Sequence, residues 1–228
     1  MSYLHGMVFG IYPYVCLAVF LFGSLVRFDR EQYTWRSESS QMLKTGTLRL
    51  GSNLFHLGIL GLFFGHAVGM LTPPAVFHTL GIEASSKQML AIVAGGVFGA
   101  SCLIGLLLLL ARRLGDARLR ATTRRMDLVV LFWILATLLL GLVSIVFSLG
   151  HTDGSVMLLL MAWARAIVTL DFSAAAIIVT VPWIYKLHMF MGMTLFLLFP
   201  FSRLVHVWSG FGALGYLGRS YQLVRSRR

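Results

Sequence analysis

The chain has 228 residues, of which 58% are hydrophobic and only 12% are charged, and its mean hydropathy is +0.84. This composition excludes an ordinary soluble domain, in which about a quarter of the residues are charged, and it indicates a membrane protein. The net charge of +11 does not indicate a nucleic-acid-binding protein, because the basic residues are concentrated in particular loops.

Five stretches are long and apolar enough to cross a bilayer, which takes roughly 20 helical residues. They predict a single all-α membrane domain over residues 1–228, in contact with lipid. A sixth apolar run, 156–170, contains Arg165 and is closed by Asp171, so we expect it to lie at the membrane interface. Residues 209–228 form a predicted tail. The predicted transmembrane helices are, approximately, 4–28, 50–72, 88–112, 127–149 and 180–208.

The distribution of basic residues predicts the orientation of the bundle. The loops after the first and third predicted helices, and the tail, are rich in arginine and lysine. The alternate loops hold only Lys87, and Arg165 with Lys186. By the positive-inside rule, the amino terminus lies outside and the carboxyl terminus inside, which requires an odd number of spans.

Four histidines lie inside the second and fifth predicted helices: His56, His66, His188 and His206. Ten helical residues rise about 15 Å and eighteen rise about 27 Å, so each helix carries one histidine near each membrane face. Since the two helices run in opposite directions, His66 is expected to face His188, and His56 to face His206. Helix tilt and a kink at Pro200 are expected to absorb the unequal spacings.

Paired imidazoles at two depths are what bis-histidine haem ligation requires, because iron takes one axial nitrogen from each side of the porphyrin. Gly61, Gly65 and Gly69 recur on the helix of His66, and Gly192 follows one turn after its predicted partner. Such glycines either admit a macrocycle close to the backbone or let helices pack closely. The residues favour a two-haem electron conduit, and the alternative is a non-redox membrane anchor whose histidines bridge helices.

Several segments make the sequence recognisable. They are "QYTWRSESSQML" (32–43), "SNLFHLGILGLFFGHAVGMLTP" (52–73), "LHMFMGMTLFLLFPFSRLVHVWS" (187–209) and "YQLVRSR" in the tail. Together they resemble the gamma subunit of respiratory membrane-bound nitrate reductase, a dihaem cytochrome b. The likeness extends from the first helix to the end of the chain and is weakest across 74–87 and 150–181.

The resemblance implies a function in the bacterial cytoplasmic membrane during anaerobic respiration. It implies that the chain oxidises menaquinol or ubiquinol at the outer face and passes electrons through two b haems to an iron-sulfur beta subunit. A molybdenum-containing alpha subunit would then reduce nitrate, which this chain alone would not do. His66 and His188 would hold the distal haem, and His56 and His206 the proximal haem. The alternative is a dihaem cytochrome b of another quinone-linked oxidoreductase, of sulfite-reduction or heterodisulfide type.

The quinol site is expected near His66, at the outer end. Lys87 is the predicted partner of a quinol oxygen, and Gly69 leaves space for the ring. The alternative is that Lys87 only anchors the helix at the membrane interface. Arg203 and Lys186, which precede the two histidines of the fifth helix, are predicted to pair with haem propionates, or to act as interface anchors.

The loop 27–49 is predicted to dock the catalytic subunits. It carries Tyr33 and Trp35, which a loop that only sets topology does not need. Aromatic residues in such a loop also form interfacial belts, so this alternative stays open.

Overall fold

The computed structural model describes residues 2–35, 47–150 and 152–210, and within them the chain is helical without strands. Five helices are long and apolar enough to cross a membrane, which confirms the predicted number of spans. The direction of the termini stays a prediction, and most of the predicted tail lies outside the described residues. The long helices are α1 (Tyr3–Arg30), α2 (Leu48–Leu71), α3 (Ala84–Gly115), α4 (Arg125–Leu149) and α5 (Trp183–Leu198).

Short helices connect the long ones. The longest of them, Ser155–Val168, corresponds to the sixth apolar run and has 14 residues, too few to cross a bilayer. Its Trp163 and Ile167 are buried in a hydrophobic cluster with residues from the start of α5. Other short α-helices are Pro74–Thr79, Ala117–Thr122 and Ala174–Ile177.

A proline makes α1 irregular. The helix contains a π-helical turn at Met7–Ile11, and Pro13 lies two residues after it. Because Pro13 has no N–H group, the carbonyl of Phe9 loses the donor four residues further on. The indole N–H of Trp163 donates to that carbonyl at 3.0 Å. This hydrogen bond joins the short helix that carries Trp163 to α1.

The long helices pack side by side, α2 against α3, α3 against α4, α4 against α5 and α5 against α1. Between α2 and α3 the backbones nearly touch. A Cβ on Gly58 would lie 2.4 Å from the amide nitrogen of Cys102, and one on Gly105 would lie 2.2 Å from that of Phe55. Small residues are therefore required at this crossing.

The predicted continuous fifth helix is interrupted. α5 ends at Leu198, and a 3₁₀ turn, Phe199–Phe201, follows. Ser202 is extended, with φ −126° and ψ 178°, and a second turn, Arg203–Val205, leads into helical residues 206–210. The proline in the first turn cannot donate a helical hydrogen bond, which explains why the helix stops there. The chain between His188 and His206 is therefore interrupted by a full helix break and not by a kink.

Candidate functional site

Two pairs of imidazoles face each other, one between α2 and α5 and the other between α2 and the segment that follows α5. The ring centroids of His66 and His188 are 6.1 Å apart with an interplanar angle of 43°. Those of His56 and His206 are 6.5 Å apart at 73°. This is the pairing that helical rise and the opposite directions of the two helices predict. Across 2–35, 47–150 and 152–210, no group of three or more His, Cys, Asp or Glu side chains comes together to hold a metal, so each pair offers two protein ligands.

The two imidazoles of α2 are oriented by their own helix. The Nδ1 atom of His56 lies 2.7 Å from the carbonyl oxygen of Ser52, four residues earlier. The Nδ1 atom of His66 lies 2.7 Å from the carbonyl oxygen of Leu62, again four residues earlier. Both rings are thus fixed relative to the axis of α2.

The two facing imidazoles are oriented by other parts of the chain. The Nδ1 atom of His188 lies 3.0 Å from the carbonyl oxygen of Thr137 in α4. The Nδ1 atom of His206 lies 2.6 Å from the carbonyl oxygen of Arg203, in the turn after the helix break. These two rings therefore depend on tertiary structure and on the interrupted segment.

These hydrogen bonds determine which imidazole nitrogen carries the proton. A carbonyl oxygen only accepts, so in each ring Nδ1 is the donor, and the neutral imidazole then carries its lone pair on Nε2. Metal-bound histidines are usually held in this way, with the second nitrogen donating to a carbonyl or carboxylate. In this tautomer, the Nε2 atom of each of the four histidines is available as a metal ligand.

The separation of the rings also fits one iron between each pair. With a metal–imidazole nitrogen distance of about 2 Å, adding half a ring on each side places the two ring centres roughly 6 Å apart. The observed centroid distances of 6.1 and 6.5 Å agree with this value. The residues present thus fit bis-histidine haem ligation at both depths.

The four glycines near these rings divide into two groups. A Cβ on Gly61 would lie 2.4 Å from the ring of Phe98 on α3, so this glycine serves helix packing. Gly65, Gly69 and Gly192 have no heavy atom within 4 Å of a Cβ position, so the space beside them is open. The packing explanation accounts for the first glycine but not for the other three.

A fifth glycine, which the sequence did not single out, contacts an imidazole directly. A Cβ on Gly141 in α4 would lie 2.9 Å from Cε1 of His188. This distance is shorter than ordinary contact, so a methyl group here must displace the ring. Gly141 and the carbonyl of Thr137 together determine the position of His188.

We predict that Gly141→Ala disturbs cofactor binding at His188 and leaves the His56–His206 pair intact. The expected result is loss of up to half of the bound haem, measured as a pyridine haemochrome in the purified complex. Gly96→Ala is the matched control, because a Cβ there meets no heavy atom within 4 Å. Equal haem contents in the two variants would contradict the prediction.

Lys87 lies in the first turn of α3 and is buried, with only 7% of its surface exposed. Its Nζ donates to the carbonyl oxygen of Gly69 at 2.7 Å and to Sδ of Met161 at 2.8 Å. It also lies 3.7 Å from the ring centroid of Phe77. The structure thus brings Lys87 and Gly69 together, one helical turn beyond His66. An interfacial anchor would instead extend its ammonium group toward water.

The other two predicted cationic residues have protein partners. Arg203 donates through Nε to Oδ1 of Asp127 at 2.8 Å and through a second nitrogen to Oδ2. Lys186 donates from Nζ to the carbonyl oxygen of Val179 at 2.8 Å. Asp127, which sequence reasoning missed, is the only acidic residue of α4. A single carboxylate in the first turn of a long apolar helix was the available signal.

Comparison with known proteins identifies the family. The sequence model of the nitrate reductase gamma subunit matches residues 5–227. The chain belongs to the nitrate reductase gamma subunit family. It is 51% identical to the respiratory nitrate reductase 1 gamma chain of Escherichia coli (strain K12) over the full length of both chains. It is 36% identical to the nitrate reductase gamma chain of Bacillus subtilis (strain 168), over 97% of this chain and 98% of that one. The predicted resemblance is confirmed.

Membership of the gamma subunit family gives the five apolar helices a context. It indicates a subunit of a multi-subunit nitrate reductase, an oxidoreductase, with alpha and beta partners. The helices indicate that this gamma subunit is a membrane component of the assembly.

Proposed function

We propose that this chain is the quinol-oxidising, dihaem cytochrome b subunit of a respiratory nitrate reductase in the bacterial cytoplasmic membrane. The observation that carries the proposal is the pair of opposed imidazole sites, each with both Nε2 lone pairs available and ring centres 6.1 or 6.5 Å apart. When bound, b haem supplies one-electron oxidation and reduction. Two such sites at different depths form a conduit across the membrane.

The orientation follows from charge. The His56–His206 end of the bundle carries the end of α1 and the connection from α3 to α4, both rich in arginine. We place this end inside, with the amino terminus outside. His66 and His188 then hold the distal haem near the outer face, and His56 and His206 hold the proximal haem near the inner face. Electrons leaving the inner end would reach the beta subunit and then the nitrate-reducing alpha subunit.

Lys87 supplies the binding group for quinol. Its ammonium is positioned beside Gly69, where open space adjoins His66, and a hydrogen bond from Nζ would hold and orient a quinol oxygen. Oxidation of one quinol releases two protons and two electrons. With the site at the outer end, the protons leave outside while the electrons move inward. The reaction therefore separates charge across the membrane without a proton pump.

Arg203 and Lys186 are proposed partners of haem propionates at the inner and outer ends. Both have donor groups near the relevant histidine in sequence, and a carboxylate near a membrane requires a cationic or polar partner. The contacts of Arg203 with Asp127 and of Lys186 with Val179 hold each side chain near its end of the conduit.

Tyr33 is the proposed docking residue for the catalytic subunits. It is 96% exposed, whereas Trp35 packs against Phe28 and donates to Oγ of Ser209 within the chain. We predict that Tyr33→Ala lowers co-purification of the beta subunit roughly tenfold, as loss of an interface aromatic often does. Tyr3→Ala, 85% exposed at the opposite end, is the control. Undiminished co-purification of the Tyr33 variant would contradict docking through this residue.

The proposed function is tested by an optical difference spectrum of membranes that contain the complete complex. A quinol is added first and nitrate second. Reduction of low-spin b haem by quinol, followed by reoxidation with nitrate, is the expected result. Reduction without reoxidation would indicate another partner enzyme, and absence of a b-haem signal would indicate a non-redox anchor. Either outcome would overturn the proposal.

A further inference from the structure

The segment between α5 and His206 is bound from one side by an arginine of α1. Arg27 donates through Nη1 to the carbonyl oxygens of Pro200 and Ser202, at 2.7 Å each. Its second terminal nitrogen donates to the carbonyl oxygen of Thr34 at 2.9 Å. Carbonyl groups at the end of a helix lack intrahelical donors, and the guanidinium provides them here.

The close approach of α1 makes this contact possible. A Cβ on Gly23, one turn before Arg27, would lie 2.9 Å from Cγ of Pro200. The backbone of α1 therefore passes directly against the break. The side chain of Arg27 therefore binds the carbonyl of Pro200 before the extended residue and the carbonyl of Ser202 itself.

The same segment is bound from the other side by α4. Asp127 is only 5% exposed, and Arg203 engages both of its carboxylate oxygens. Arg113 lies 3.4 Å from Oδ2 of Asp127, and the backbone N–H of Arg124 donates to that oxygen at 3.2 Å. A buried carboxylate with this many donors is a rigid anchor.

Arg203 connects this anchor to the imidazole. Its guanidinium is held by Asp127, and its backbone carbonyl accepts the hydrogen bond from Nδ1 of His206 at 2.6 Å. The orientation of His206 therefore depends on where Arg203 is held. The other three histidines donate this bond to carbonyl oxygens of residues within regular helices, α2 or α4.

We propose that Arg27 and Asp127 are positioning residues for His206: they hold the interrupted segment from α1 and α4 and so determine how strongly His206 ligates the haem at this end. The inference rests on the proposed function, because it concerns one of the two haems. A hydrogen bond from Nδ1 increases the basicity of the ligating nitrogen and stabilises the ferric iron. Weakening it raises the reduction potential of that haem and loosens its binding.

The sign of the potential change separates positioning from a simple charge effect. Asp127→Asn removes a negative charge and Arg27→Gln removes a positive charge. If the two residues acted only through the electrostatic effect of their charges, the reduction potential of the His56–His206 haem would rise in Asp127→Asn and fall in Arg27→Gln. If they act by positioning His206, this reduction potential rises in both variants.

The experiment uses the purified complete complex and measures each haem separately by redox titration with EPR detection, and by the rate of haem transfer to apomyoglobin. We expect both variants to shift the EPR signal and raise the potential of the His56–His206 haem, and to release it about 10- to 100-fold faster. The His66–His188 haem should be unchanged, which also shows that the variants fold. Arg27→Lys and Asp127→Glu keep the charge, so their haem potential and haem release rate should lie closer to those of the unaltered complex.

Asp29→Asn and Arg30→Gln are the matched controls, because these side chains are 79% and 80% exposed at the same end and pair with each other. Shifts of opposite sign in Arg27→Gln and Asp127→Asn, unchanged signals in both, or equal loss of both haems would overturn the inference. Absence of both haems from the unaltered complex would instead overturn the proposed function. Failure of this inference and failure of the proposed function are therefore distinguishable.

Discussion

Replacing one histidine of a pair with alanine is expected to remove the haem of that pair and leave the other in place. His66→Ala or His188→Ala should eliminate the haem of the His66–His188 pair, and His56→Ala or His206→Ala that of the His56–His206 pair. Partners outside the coordination sphere are worth about 10- to 100-fold in metal affinity, so loss of a ligand should cost more than that. Total haem should fall by half, and quinol-dependent nitrate reduction should be lost in all four variants.

His78→Ala is the control for these variants, because His78 is exposed at the His66–His188 end of the bundle. The pyridine haemochrome gives total haem, and EPR identifies which signal remains. Variants of His66 and His188 should lack the same signal, and variants of His56 and His206 the other. Four variants that all retained two haems would exclude these residues as ligands.

The second large effect is expected from Lys87→Met. The thioether fills similar volume but cannot donate to a quinol oxygen. Because a hydrogen bond from a charged donor is worth about 1.5–3 kcal/mol, we expect kcat/KM for quinol to fall about 10- to 100-fold. Haem content should stay the same, and dithionite should still reduce both haems. Stopped-flow reduction of haem by quinol measures the effect directly.

Glu83→Gln provides the comparison, because it alters an exposed charge at the same end, four residues before Lys87. Its quinol kinetics should match those of the unaltered complex. Normal quinol kinetics in Lys87→Met would mean that its contacts with Gly69 and Met161 are only structural. If Lys87→Met lost haem as well as quinol activity, the variant would have a folding defect, and this result would also count against a specific role in quinol binding.

Apolar length and helical rise were sufficient to predict the main architecture. The five spans follow from stretches that lack charge, because a bilayer imposes a minimum helix length. The facing of His66 with His188, and of His56 with His206, follows from direction and depth alone. Both predictions depend on distances along a helix axis, which a sequence records directly. The role of these histidines as haem ligands stays a prediction.

The details that position the His56–His206 pair could not be predicted in this way. The sequence indicated a kink at Pro200, but the extended conformation of Ser202 depends on carbonyl groups held by Arg27, more than 170 positions away in the chain. Likewise, Asp127 and Arg203 are separated by 76 positions. Periodicity contains no information about such contacts. The interruption also explains why spacings of ten and eighteen residues can serve sites at matching depths.

The source of each Nδ1 hydrogen bond implies an order of assembly. His56 and His66 bond to carbonyls of α2, so their rings take the ligating orientation as soon as that helix forms in the membrane. The ring of His188 is oriented only after α4 and α5 have met, and that of His206 only after the break has formed. We therefore expect newly synthesised chains to present half of each binding site early and to capture haem stably only when the last helix has docked. Cofactor retention would then report that insertion of the whole bundle is complete.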